Sequence, residues 1–173
     1  MKKFLVGLIV FIIILISILI QINLLNVVTL AGTAANIGIV LAIGIGLMCD
    51  KISGSMIGII YGFIQDILFG KAIGVYSLIY MLIGFFSGKL GKSFSRDNKT
   101  TMVSMVGVGT VVFKIIFFMF AKIFYNYDLY IMAFIFDLIK EIIYNMIIAI
   151  ILFKPISLLA EIINKSKNNY YLL

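Results

Sequence analysis

Lys114, Asp137, Lys140, Glu141, Tyr144 and Asn145 are the residues of this chain best equipped for chemistry, and all six interrupt long apolar runs. The last five follow steps of three and four, so a helix carries them as one polar stripe. Lys114 stands about as far before a turn near Tyr127–Asp128 as Glu141 stands after it, which lets the two face each other. An isolated charge at the centre of a bilayer costs roughly 2.5–3.5 kcal/mol, so such groups turn inward and pair. The four formal charges sum to zero, in keeping with pairing that fixes the fold. Two other uses remain open: docking a partner's polar group, and a path for protons or a solute. The proton path is thinly supplied, because the chain has no histidine and this single stripe.

Other chemistry is excluded more firmly. Cys49 is the only cysteine, so there is no intrachain disulfide, and without histidine there is no zinc site of the usual type. No histidine with aspartate, and no paired aspartate motif, sits at a membrane face as a lipid-processing enzyme would need. The expectation is therefore a non-enzyme with no catalytic residue, no metal and no cofactor.

The elements that must position the stripe follow from composition. Hydrophobic residues make up 64% of the 173 and charged residues 12%, against roughly 45–50% and 25% in soluble domains. In lipid the backbone must satisfy its own hydrogen bonds, which leaves helices or a closed barrel. Barrel strands alternate in polarity, whereas Phe11–Ile20 is apolar on every face. The fold class expected is an all-α integral membrane protein, a compact bundle of six transmembrane helices in one domain, 1–173. With about 20 residues needed per crossing, the helices fall near 4–23, 34–49, 52–69, 74–91, 101–124 and 130–153. The second is short: its apolar core, Ile37–Cys49, reaches only about 20 Å. Either it borrows Val27–Leu30, or the second and third helices form a re-entrant hairpin that leaves four full spans. The first run, Phe4–Ile22, exceeds the apolar region of a cleaved signal, with Thr33-Ala-Ala35 the lesser possibility of processing. The tail from Asn164 reads as a frayed interfacial end.

Basic residues set the orientation. Lys2, Lys3, Lys51, Lys89, Lys92, Arg96, Lys99, Lys154, Lys165 and Lys167 fall on one side, and only Lys71 and Lys122 on the other. Cytoplasmic flanks hold the excess, so both termini are placed in the cytoplasm. The net charge of +7 is scattered between apolar segments and does not form a nucleic-acid patch.

Small residues recur at every fourth position in two runs, each ending in an aspartate. The first is Ala34, Gly38, Ala42, Gly46 and Asp50; the second is Gly54, Gly58, Gly62 and Asp66. Without a hydrophobic drive between helices in lipid, small residues let backbones approach and pack. The ladders serve either packing within the chain or a surface for another protein's helix. Asp66 is followed by Gly70, Lys71 and Gly74, a tight turn in which Asp66 caps the structure or pairs with Lys71. Gly84, Ser87, Gly88 and Gly91 make a further close-packing face. Asp50 reads as an ordinary helix-end residue.

The run from Gly58 through Gly62, Asp66, Gly70 and Gly74 to Gly84 and Gly88 resembles the central signature of the rod shape-determining MreD family. That signature is Gly-x-x-x-Gly-phi-x-x-Asp-x-phi-x-Gly-x-x-x-Gly, then an apolar helix ending Gly-x-x-x-Gly. Tyr144-Asn145 and Pro155 also match; Asn36 opens the second helix after Ala35, where the family usually has proline. The resemblance implies a multi-pass protein of the bacterial cytoplasmic membrane that acts as a scaffold in cell elongation and peptidoglycan synthesis. It implies partnership with the single-span protein MreC, and through it with MreB filaments and an elongation-specific glycosyltransferase and transpeptidase. Glycine-lined grooves are expected to hold the partner's helix, and a homo-oligomer is possible. The alternative is a substrate-binding subunit of an energy-coupling-factor vitamin importer, also a six-helix chain. Those subunits dock by an Ala-x-x-x-Ala face on the first helix, and Phe4–Ile22 has no alanine.

Overall fold

A computed structural model describes residues 2–28, 35–70, 74–91, 98–125 and 131–168. Among them are six helices and no strand: α1 (Lys2–Val28), α2 (Ile37–Met48), α3 (Lys51–Phe69), α4 (Val75–Leu90), α5 (Lys99–Tyr125) and α6 (Ile131–Asn168).

Every residue of α2 is buried, along its whole length of 12 residues. At about 1.5 Å per residue it is about 18 Å long, little more than half a hydrocarbon core. The other helices pack round it, and its composition reflects neighbours on all sides. Gly38 faces the rings of Tyr61 and Tyr80, Gly44 faces Met102 and Ile156, and Gly46 faces Ser87 and the backbone of α4. It does not borrow residues from before it: Val27 and Val28 belong to α1, and Thr29 and Leu30 lie outside the described residues. Asn36 sets its start with an extended backbone (φ −107°, ψ 92°) and a side chain that accepts from Ile39 N.

The glycine ladders meet one another. α4 returns antiparallel along α3, so Gly54 lies against Gly84, Gly58 against Tyr80, Gly62 against Ser77, and Gly88 against Lys51. A Cβ on Gly54 would stand 2.6 Å from both Gly84 O and Gly46 Cα. Here α2, α3 and α4 meet backbone to backbone, as small-residue ladders allow. The groove expected along Gly54, Gly58, Gly62, Gly84 and Gly88 is thus filled by the chain's own helices. No space for a partner's helix remains along it.

The largest shift of a boundary is at the end of the last helix. α6, expected to end at 153, continues through Pro155 to Asn168. Proline has no N–H to give to Ile151 O, yet Ile156, Leu159, Ala160 and Ile163 are buried, and that packing carries the helix on. Asn164 Nδ2 donates to Met48 O at 3.2 Å, and the Cys49 thiol to Ala160 O at 3.7 Å. The expected frayed end is therefore helical through Asn168. Among the described residues four helices are long and apolar enough to cross a membrane: α1, α3, α5 and α6; α2 and α4 are shorter.

Gly58→Ala should cost about 1–3 kcal/mol by forcing α3 from α4. At Gly107 the nearest atom to an added Cβ is Met146 Sδ at 3.5 Å, so Gly107→Ala should be neutral or gain up to about 1 kcal/mol of helix propensity. Denaturant unfolding in micelles, followed by circular dichroism, measures both; equal effects would contradict the backbone contact.

Candidate functional site

The first N–H groups of any helix lack partners within it. When that end is buried in a membrane protein, other side chains must supply the acceptors. At the start of α2, Asn36 N donates to Asn145 Oδ1 on α6 at 2.6 Å, and Ile37 N to Gln21 Oε1 on α1 at 3.0 Å. Gln21 Oε1 also accepts from the Tyr61 hydroxyl of α3 at 2.7 Å. The Tyr80 hydroxyl of α4 lies 2.7 Å from Asn36 Oδ1 and 2.9 Å from Gln65 Oε1. Asn145 Nδ2 donates to Thr110 Oγ1 on α5 at 2.9 Å, and Thr110 in turn to Val106 O. Every helix of the bundle thus contributes to one buried network. Among the described residues no buried side-chain nitrogen or oxygen lacks a partner.

Beyond this network the short central helix leaves space. A cavity of about 280 Å³ lies there, with Gln21, Asn36, Gln65, Lys114 and Glu141 as its polar wall. Phe69, Tyr76, Phe113 and Phe117 supply an aromatic wall, in which Phe113 and Phe117 stack at 5.8 Å and Tyr76 lies 5.1 Å from Phe117. Lys114 Nζ pairs with Glu141 Oε2 at 2.8 Å on the cavity's edge.

The polar stripe of α6 divides. Glu141 and Asn145 are buried and Asp137 is half-buried on the same line, while Tyr144 is half-buried and Lys140 is exposed. Round the helix Lys140 stands about 100° from Glu141, on the side away from Asn145, and Tyr144 stands about 60° from Glu141, which is why Lys140 leaves the inward line and Tyr144 only half does.

Asp66 lies elsewhere, 1% exposed. Its carboxylate accepts from Tyr76 N at 2.9 Å, Ser77 N at 3.0 Å and the Ser77 hydroxyl at 2.6 Å. It therefore caps α4 from the last turns of α3, placing a negative charge where helix N–H groups and dipole favour one. Gly70 passes so close that a Cβ would stand 2.9 Å from Asp66 Cα, and Gly74 takes φ +103°. The alternative partner, Lys71, lies outside the described residues.

Asp50 does more than end a helix. It caps α3 by accepting from Ser53 N at 2.8 Å, and it pairs with Lys167 of α6, whose ammonium also reaches Ser53 Oγ at 2.6 Å. Partial burial pushes its carboxyl up, but Lys167 and the Ser53 N–H outweigh this and hold it below the ordinary value.

Gln21, Tyr61, Gln65, Tyr80 and Thr110 had no sequence motif to mark them. The signal available was that each is a lone hydrogen-bonding side chain inside an apolar span, where lipid offers no partner.

A family model described as rod shape-determining protein MreD matches residues 1–163 of the chain. Comparison with curated proteins and with solved structures finds no match.

Asp66→Ala strands two backbone donors and a hydroxyl, and should lower unfolding free energy by about 1–3 kcal/mol; Asp66→Asn, which keeps an acceptor, should lose less. A loss no larger than that of a surface substitution would refute the cap. Lys114→Met or Glu141→Leu alone should cost about 3–5 kcal/mol by leaving a buried charge unpaired. The double variant should cost well under the sum of the two, and strict additivity in the cycle would show that the pair is not coupled.

Proposed function

The chain belongs to the MreD family of rod shape-determining proteins, and on that premise we propose that it is a non-enzymatic membrane scaffold of the bacterial elongation machinery. In this reading it packs against the transmembrane helix of an MreC-like single-span protein. Through that protein it links MreB filaments to the glycosyltransferase and transpeptidase that build peptidoglycan. The observation that carries the reading is the family match over 163 residues.

Chemistry and charge support it. Several buried polar groups hold the bundle: Asp66 as a cap, Asn145 and Gln21 at the start of α2, Lys114 and Glu141 with each other. Because the glycine ladders are used internally, the partner's helix must meet an outer, lipid-facing surface. For topology we propose six crossings of the cytoplasmic membrane, with both ends inside. α4 retraces α3, and Lys167 of α6 joins Asp50 at the α2–α3 junction, which gathers Lys51, Lys89, Lys165 and Lys167 at one end of the bundle. Positive charge in that arrangement marks the cytoplasmic face.

In cells, loss of the protein should turn rods into rounded cells, and an MreC homologue should co-purify with the wild-type chain in mild detergent. Rods that keep their shape without the protein, together with no MreC recovered, would sink the scaffold reading.

A further inference from the structure

The cavity at the start of α2 has the character of a ligand site. Its volume, about 280 Å³, corresponds to roughly nine waters and sits at the lower edge of small-molecule pockets, about 300–1,000 Å³.

What lines the space decides what it would take. The amide oxygens of Gln21 and Asn36 are engaged within the network, and the Gln65 amide lies 2.9 Å from the Tyr80 hydroxyl, whose single proton goes to Asn36. Among the described residues no hydrogen bond reaches the amide nitrogens of Gln21 and Asn36 and no buried side-chain nitrogen lacks a partner, so these NH₂ groups are accessible where the two side chains line the cavity. Lys114 adds further N–H donors beyond the one it gives Glu141. The wall is therefore rich in donors. Among the described residues its charges cancel, Lys114 against Glu141, so together they offer no net attraction to an ion. The opposite wall is aromatic and suits the flat face of a ring.

We propose that this cavity binds a small neutral ring compound bearing several hydrogen-bond acceptors. The acceptors meet the amide and ammonium donors, and the ring lies against Phe113, Phe117 and Tyr76. The proposal goes beyond the scaffold reading and does not rest on it, because binding is measured on purified protein and cell shape is scored separately.

Two probes separate the possible ring types: N-acetylglucosamine for a sugar ring and uracil for a planar heterocycle. Each is added to the purified full chain in detergent micelles, with equilibrium dialysis and thermal unfolding as readouts. At least one should bind with a Kd at or below about 1 mM and raise the unfolding midpoint. Ala35 is half-buried on the cavity wall and takes no part in the hydrogen bonds. Ala35→Phe should fill the space and weaken binding by at least about tenfold while leaving the midpoint without probe unchanged. Ala35→Leu serves as the milder block should the larger ring disturb folding. Failure of both probes to bind even at about ten times that Kd overturns the proposal, as does undiminished binding in both variants.

Discussion

A helix that begins inside a membrane protein must have its first N–H groups met by protein, and the start of α2 imposes this demand on the whole bundle. In a hydrocarbon surrounding, an orphaned group costs several kcal/mol. The chain answers with acceptors from distant positions: Gln21 from before α2, Asn145 from 109 residues after Asn36. Tyr61 of α3 then donates to the same Gln21 oxygen and Tyr80 of α4 to the capping Asn36, so the polar end of one short helix fixes the lateral order of the others.

The opposite end of α2 is held by different means. There the helices touch backbone to backbone through glycine, and dispersion at short range replaces hydrogen bonding as the source of specificity. Lys167 clasps Asp50, and Asn164 reaches the last carbonyls of α2. The bundle is thus pinned at one end by polar groups and at the other by close packing, with the ion pair of Lys114 and Glu141 beside the polar end.

Much of this was legible in the sequence because it follows from spacing. The facing of Lys114 and Glu141 came from their distances to one turn, and the place of Asp66 ahead of two glycines allowed a cap as one of two roles, the other being a pair with Lys71. The ladders pointed to close packing, but spacing could not say which helices would meet. That depended on α4 folding back over α3, which turns a possible partner groove into an internal seam. The extension of α6 past Pro155 was hidden because local propensity argued for a stop, while the packing of Ile156, Leu159 and Ile163 prevailed. Gln21 and Gln65 were hidden for another reason: a single amide in an apolar run carries no periodicity, and its partners lie on other helices.

The reach of Asn145 to Asn36 also has a consequence for how the protein is made. Synthesis proceeds from the amino terminus, so α2 leaves the ribosome long before the residue that accepts its first N–H. At 12 residues α2 is too short to hold a transmembrane position alone. Its settled place at the bundle's centre therefore becomes available only once α6 has been inserted. The centre of this protein is the last part to be finished, and a nascent chain cut short before Asn145 would leave it open to the membrane's own quality control.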